Sequence, residues 1–328
     1  MFLGKKILII MPFYFNYQNQ IKKHLSRRGA EVYLIDEDVN EMSFFYKFIS
    51  VYFQRFYLYI VRKYYKRKFK ELPSQLDSIL IIKGSTINEY EIKVLKEKYN
   101  NVKIIMYQWD SIAHYSKAVK VADWCDVKIS FDPIDANKYK WKYRPLFFDP
   151  DYCSNEMNRI YDIGYVCSIH SDRVHLLNIV SKYCKDHHLY LFDYLYSNKW
   201  SYLRQKYFKK NMSFRINQNR VKFTPLSYEQ TANLYESSKC LLDYKFTNQV
   251  GLTIRSIECI GHNCKLITNN KQIMNEDFYN PDNVYIYDID NFNIPDSFLV
   301  KPYMPISNEL YYKYSINGWL DEVFIDNI

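Results

Sequence analysis

The sequence predicts an α/β protein of two domains, each built on parallel strands with helices between them. Three observations carry this reading. Short apolar, β-branched runs alternate with longer segments of helical period, the pattern of strand–helix–strand units around a parallel sheet. The runs fall into two sets, separated by a polar, Pro-containing stretch over residues 149–159, where a domain boundary belongs. The length of 328 residues divides into two domains at about 100–200 residues each, either large enough to hold a core.

Taken in order, the first set predicts strands at Lys6–Met11, Ala30–Ile35, Asp77–Lys83, Val102–Tyr107 and Asp126–Phe131, with Arg144–Phe148 as a sixth. The opening Met1–Pro12 puts its apolar run after two lysines, as a signal peptide would, but only Ile7–Pro12 is unbroken and no small-residue cleavage site follows. It reads as a first buried strand. The second set predicts strands at Asp162–Cys167, Leu189–Asp193, Val221–Thr224, Cys240–Asp243, Lys265–Thr268 and Asn283–Tyr287. The domains are expected over 1–150 and 151–305. A terminal helix, Ser307–Phe324, broken late by Gly318, would strap one domain to the other from within 306–328.

Composition narrows the function. Only 7 of 328 residues are Gly, about 2% against roughly 7% usual. Neither the Gly-x-Gly-x-x-Gly dinucleotide fingerprint nor a P-loop can be written from them. Aromatic residues make up 18%, including 34 Tyr and 21 Phe, too much sticky surface for a disordered chain. The charge of +9, from 45 Lys+Arg against 36 Asp+Glu, implies an anionic partner: nucleic acid, a phosphorylated substrate or an acidic membrane. Seven Cys, odd in number and without a Cys-x-x-Cys pair, read as reduced, mostly buried thiols of a cytoplasmic protein.

The segment Ser43–Leu72 reads as one long helix crowded with aromatics and carrying Lys47, Arg55, Arg62, Lys63, Lys66, Arg67, Lys68 and Lys70. Its charges interrupt it long before the ~20 apolar residues of a membrane-crossing helix. A basic, aromatic amphipathic helix suits an anionic leaflet. The alternative is a helix whose aromatics pack on the sheet and whose lysines are its solvated face.

The densest constellation runs from Asp243 to Thr268. It reads as a strand, a polar loop, a helix starting near Gly251 and capped at Gly261, and another strand. A helix start after such a loop leaves backbone N–H groups at the positive end of the dipole, which binds phosphate without a Gly-rich loop. Arg255 and Glu258 lie three apart on one helical face. A cation beside the phosphates and a carboxylate for two ribose hydroxyls would read one nucleotide diphosphate; an ordinary surface Arg–Glu pair is the alternative. The run Tyr161–Arg173 delivers Ser168, His170 and Arg173 at a strand's end, and Ser227 with Gln230 forms a capping box after Pro225-Leu226. In a doubly wound sheet these loops gather at the carboxyl edge, where ligands bind.

These residues resemble GT-B glycosyltransferases, and among them the bacterial lipopolysaccharide and capsular polysaccharide biosynthesis transferases of the CgeB-like group. The likeness rests on Ile163–Ser168 with Asp172-Arg173, Pro225-Leu226-Ser227 with Leu234-Tyr235 and Leu242-Asp243, Gln249–Glu258 with Gly261 and Lys265–Asn269, and Phe278–Pro281, covering roughly residues 160–285. In the first half only Tyr107–Ser111 matches, as the family's Trp-Asp-Ser element. The resemblance implies two facing Rossmann-like domains with a C-terminal helix crossing back to the first, a nucleotide-sugar donor held by the second domain and a glycan or glycolipid acceptor held by the first. Gly251, Leu252 and Thr253 would then meet the diphosphate, Arg255 would neutralise it, and Glu258 would take the ribose. Ser168 and Arg173 would sit near the phosphates, with His170 in the same donor set, and Pro225 and Leu226 would flank the base.

One departure bears on the reaction. Many retaining GT-B enzymes carry two glutamates eight apart, whereas Val250 and Leu266 stand eight either side of Glu258. An inverting reaction is expected, with a general base on the first domain: Asp110, with His114 in reserve, while an Asp ending a strand also serves as a helix N-cap. Tyr14, Asn16, Lys83, Gly84, Ser85 and Trp109 are the expected acceptor contacts. The GT-B likeness implies no metal, and the triplets Asp36-Glu-Asp38, Asp149-Pro-Asp151 and Asp288-Ile-Asp290 read as chance. The protein is thus expected to be a metal-independent transferase making a surface polysaccharide, with no cofactor beyond its nucleotide-sugar co-substrate, peripheral on the inner face of the cytoplasmic membrane through residues 43–72. The competing readings are an inactive GT-B-like scaffold and a basic nucleic-acid-binding protein; no nucleic acid is expected, because the aromatics form no stacking platform on a sheet.

Overall fold

The computed structural model describes residues 2–38, 52–154, 158–169, 171–208, 220–246 and 250–325. The chain divides into two compact units: Met1–Leu146 with Asn248–Gly251 and Ile316–Ile328, and Phe147–Thr247 with Leu252–Ser315.

The first unit runs β1 (Lys6–Met11), α1 (Tyr17–Arg27), β2 (Glu31–Asp36), α2 (Gln54–Lys70), β3 (Ser78–Ile82), α3 (Glu89–Lys98), β4 (Lys103–Gln108), α4 (Lys117–Ala122), β5 (Val127–Ser130), α5 (Pro133–Tyr139) and β6 (Lys142–Tyr143). Among the described residues the strands form one parallel sheet in the order β2-β1-β3-β4-β5-β6. Ile9 lies opposite Leu34 on one side and Leu80 on the other. From Ile7 to Met11, Ile79 to Ile82 and Ile104 to Tyr107 every residue is at most 1% exposed. Strands covered on both faces have no polar side, so they read as unbroken apolar runs. Two helices show local causes: α3 opens with a capping box between Asn88 and Glu91, and α5 has Pro133 in its first turn behind an Asp132 N-cap.

The second unit runs β7 (Tyr161–Ser168), α6 (Ser171–Asp186), β8 (Leu191–Tyr196), α7 (Lys199–Phe208), β9 (Val221–Lys222), α8 (Tyr228–Glu236), β10 (Ser238–Leu242), α9 (Ile254–Gly261), β11 (Lys265–Thr268), β12 (Val284–Ile286), α10 (Asp296–Val300) and α11 (Asn308–Tyr314). Its described strands form a second parallel sheet, β12-β11-β10-β7-β8-β9. The chain then returns to the first unit as α12 (Ile316–Leu320). There Trp319 is fully buried with its ring 4.9 Å from that of Tyr107.

Three expectations are corrected, and the Ser43–Leu72 helix is described only in part. The sixth strand is Lys142–Tyr143, not Arg144–Phe148: Pro145 has no N–H for the ladder, and Arg144 is buried with its Nε 3.2 Å from Glu322. The terminal helix breaks at Ser315, not Gly318. The Ser315 hydroxyl donates to the Tyr312 carbonyl at 2.7 Å, and Gly318 lies inside α12. Within Ser43–Leu72 the described helix is α2; residues 43–51 lie outside the described residues. Its Val61, Tyr65 and Phe69, four apart, are buried, so part of the aromatic content packs on the core. Among the described residues no helix is long and apolar enough to cross a membrane. The helix expected near Gly251 begins at Ile254 behind a Thr253 N-cap.

Both strand orders reverse direction once, between β1 and β3 in the first sheet and between β7 and β10 in the second. In an open parallel sheet the helices leave these two strands on opposite faces, which opens a crevice at their carboxyl ends.

Candidate functional site

In the first unit the crevice is bordered by the exits of β1 and β3. The chain leaves β1 through Phe15 and Asn16, both left-handed at φ 50 and 66°. Tyr14 donates its hydroxyl to the Asp38 carboxylate at 2.8 Å; burial, then that bond and the charges of Asp36 and Asp110, push its phenol above its ordinary value. The chain leaves β3 through Lys83 and Gly84, again left-handed at φ 78 and 69°. That turn carries the Lys83 ammonium to 3.0 Å from the Asp110 carboxylate and 5.9 Å from the centre of the Tyr14 ring. The Trp109 ring lies 6.2 Å from that of Tyr17. Tyr14, Lys83, Trp109 and Asp110, expected from sequence to share an edge, are therefore brought together. Ser85 accepts the Tyr115 hydroxyl at its carbonyl. The Asn16 side chain accepts from Asn19 at 2.6 Å and does not cap α1. His114 lies in an exposed turn beyond Asp110, with no bond to it among the described residues.

The β3 turn is held from below by a residue not anticipated. Glu37 is 0% exposed; its carboxylate accepts the Thr86 amide at 2.8 Å and its carbonyl accepts the Thr86 hydroxyl at 2.6 Å. Burial pushes the Glu37 carboxyl up to about 8, against the Thr86 and Ile87 amides, Lys83 and Ser85, which favour its charge. The signal was present as Asp36-Glu-Asp38: an acidic triplet at the carboxyl end of a buried strand is a loop clamp, not chance. Asp36 accepts the Phe13 and Asp38 amides, Glu37 holds the β3 turn and Asp38 holds Tyr14.

In the second unit the crevice lies between the exits of β7 and β10. Ser168 ends β7, half-buried, and His170 lies outside the described residues. Arg173, in the first turn of α6, stacks over Phe246 at 4.6 Å, and its buried Nε has no hydrogen-bond partner among the described residues. Asp243, just past β10, is fully buried and organises the other side. It accepts the hydroxyls of Thr253 at 2.8 Å, Thr268 at 3.0 Å and Ser256 at 3.4 Å and the Arg255 guanidinium at 3.0 Å. The second terminal nitrogen of Arg255 donates to the Val166 carbonyl, and its Nε has no hydrogen-bond partner among the described residues. Both arginines bear electrostatically on Tyr165 and Cys167 of β7, so the two guanidinium groups converge on one strand end. Pro225 is exposed and Leu226 half-buried ahead of the Ser227–Gln230 capping box, which forms as expected.

Two expected roles meet a different environment. The Gly251 amide, expected to lie open to phosphate, donates to Asp132 Oδ2 at 2.9 Å, and the Val250 amide donates to the same oxygen at 3.1 Å. Residues 250–251 pack in the first unit, Leu252 is 0% exposed, and the Thr253 hydroxyl is taken by Asp243. Glu258 is not a surface carboxylate: it is 4% exposed. Burial pushes it up to about 7, while Arg255 and the hydroxyls of Tyr228 and Tyr235 pull the other way. Asp132 and Asp243 were missed because each acts through partners far from it in sequence.

No protein-family model and no curated protein sequence matches the chain. Solved structures do. HepE of Anabaena, crystallised in complex with UDP and glucose, superposes at a TM-score of 0.59 with 10% identity, covering 98% of this chain and 100% of that one. The catalytic domain of starch synthase IV from Arabidopsis thaliana, bound to ADP and acarbose, superposes at 0.53 with 10% identity, covering 98% and 92%. The fold of the chain is GT-B, two α/β domains on parallel six-stranded sheets.

Proposed function

We propose that the protein is a glycosyltransferase that moves a sugar from a nucleotide-sugar donor to a surface-polysaccharide acceptor, which we take to be lipid-linked. The observation that carries this reading is the convergence of Arg173 and Arg255 at the carboxyl ends of β7 and β10, with Asp243 orienting Arg255. Guanidinium groups suit the fixed geometry of a diphosphate. The fold likeness to HepE in complex with UDP and glucose, and to starch synthase IV bound to ADP and acarbose, supports the same reading. Ser168 and Thr253 border the donor's phosphates, Glu258 takes the ribose, and Pro225 and Leu226 flank the base.

The reaction is inverting and needs no metal. The acceptor oxygen attacks the anomeric carbon as the bond to the nucleotide diphosphate breaks; the diphosphate leaves with the electron pair, and the acceptor's proton passes to Asp110. Lys83 holds Asp110 at 3.0 Å, with His114 in reserve as base. Tyr14, Asn16, Gly84, Ser85 and Trp109 border the acceptor. The exposed Tyr52, Phe53, Phe56 and Tyr59, beside Arg55, Lys63 and Lys66, support docking of α2 on an anionic membrane surface. Asp110→Asn is expected to abolish turnover while donor binding survives, and the wild-type rate should persist in excess chelator; a normal rate in Asp110→Asn clears it of the role.

A further inference from the structure

The first unit contains a cavity of about 400 Å³, opening where β4 and β5 end, beyond the ring of residues assigned to the acceptor. That volume is in the range of small-molecule sites. Its lining starts at Ser111, the residue after Asp110, and includes Ala113, Ser116, Asp132, Asp135 and Lys138. The two carboxylates differ in what they have left to bind. Asp132 is saturated: Oδ1 accepts the Ile134 and Asp135 amides, and Oδ2 accepts the Val250 and Gly251 amides. Asp135 is 7% exposed, and both its donors, the Ile112 amide at 2.7 Å and the Ser111 hydroxyl at 3.4 Å, reach the same oxygen, Oδ2. Oδ1 receives no donor among the described residues, on a carboxylate that lines open space.

We infer that this cavity is a subsite for a neutral sugar ring of the acceptor, whose hydroxyls supply the donors that Asp135 Oδ1 lacks. A carboxylate oxygen with no donor on the wall of open space can accept a ligand hydroxyl directly. Charge decides the ligand class. Among the described residues that line the cavity, Asp132 and Asp135 are matched by one ammonium, Lys138, which itself lies over the Tyr139 ring at 5.1 Å; such a wall repels phosphate and accepts hydroxyl donors. Burial pushes the Asp135 carboxyl above its ordinary range, as does the neighbouring Asp132 charge, which further favours neutral donors over an anion. The inference rests on the reading that the first unit holds the acceptor, and it adds a place for the ring that sequence alone did not show.

The test uses the full chain and free glucose, galactose and N-acetylglucosamine, read by saturation-transfer NMR, with inorganic phosphate in parallel. At least one hexose should bind and phosphate should not. Asp135→Asn keeps an oxygen for the Ile112 amide and should weaken the hexose about tenfold, the worth of one hydrogen bond to a charged group. Ala113→Trp, an exposed substitution in the lining, should abolish hexose binding without touching Asp135. Thermal shifts by nucleotide sugars, measured on the same samples, should be unchanged in both variants. Absence of hexose binding, preferential binding of phosphate, or hexose binding undiminished in both variants overturns the cavity assignment while leaving the donor reading standing. Loss of nucleotide response in the wild type strikes the transferase reading instead, while hexose binding lost in both variants would still support the cavity.

Discussion

Glu37 shows how one side chain couples backbone shape to pH. It sits at 0% exposure beneath the turn that carries Lys83 and Gly84, and its carboxyl is pushed up from 4.5 to about 8 by burial. The folded state therefore holds a proton that the unfolded state releases. That contribution to stability is full below about 4.5 and lost as pH rises through 8, a change of a few kcal/mol. Glu258, raised to about 7, acts in the same direction over a narrower window. Denaturant titrations from pH 7 to 9, above the range in which buried His262, pushed down to about 4, acts in the opposite direction, should show stability falling with pH, and Glu37→Gln should flatten that slope. An unchanged slope in that variant would assign the effect elsewhere. Gly251 makes a second point at this scale. A Cβ there would lie 2.7 Å from the Phe131 ring and 2.9 Å from the Phe131 carbonyl oxygen, and a backbone atom cannot rotate away. Gly251→Ala should cost about 1–3 kcal/mol, read as a lowered denaturation midpoint. A phosphate-binding role alone would leave the stability of the unliganded protein intact.

Elements were more legible than the partners of single residues. Buried parallel strands announce themselves as apolar runs because both faces are covered, and β1, β7 and β11 fall where the runs lie. Arg144–Phe148 deceived because its apolar residues are buried outside the sheet, where Pro145 and the Arg144–Glu322 pair set the path. The Ser227–Gln230 capping box was readable because it closes over three residues, whereas Asp132 finds Val250 and Asp243 finds Thr268 only after folding. Helix α2 shows both halves of an ambiguity: its Val61, Tyr65 and Phe69 are core, yet Phe53, Phe56 and Tyr59 remain exposed beside basic residues. Co-sedimentation with vesicles containing phosphatidylserine should be lost in Arg55→Glu/Lys63→Glu and weaken with salt, as expected when each basic residue contributes about 1 kcal/mol. Binding that is insensitive to salt and to these substitutions would contradict electrostatic docking.

At the scale of the whole molecule, the proposed function rests on two sheets that each reverse strand order once. The reversal between β1 and β3 gathers Tyr14, Lys83 and Asp110, and that between β7 and β10 gathers Arg173, Asp243 and Arg255. The chain weaves between the units, with residues 250–251 and α12 belonging to the first although their neighbours belong to the second, so neither unit is a simple half of the sequence. The scarcity of glycine is compatible with the proposed donor site, because guanidinium groups at strand ends could meet a diphosphate without a Gly-rich loop. The most direct test is a thermal-shift panel of UDP-, GDP-, CMP- and dTDP-linked sugars on the wild type, Arg173→Ala and Arg255→Ala. One nucleotide class should stabilise the wild type by about 2.7 kcal/mol at a hundredfold excess over Kd, and Arg173→Ala, which removes no ion pair among the described residues, should lose that response. No stabilisation by any donor, or a full response in both variants, would contradict a nucleotide-sugar site at the β7 and β10 exits.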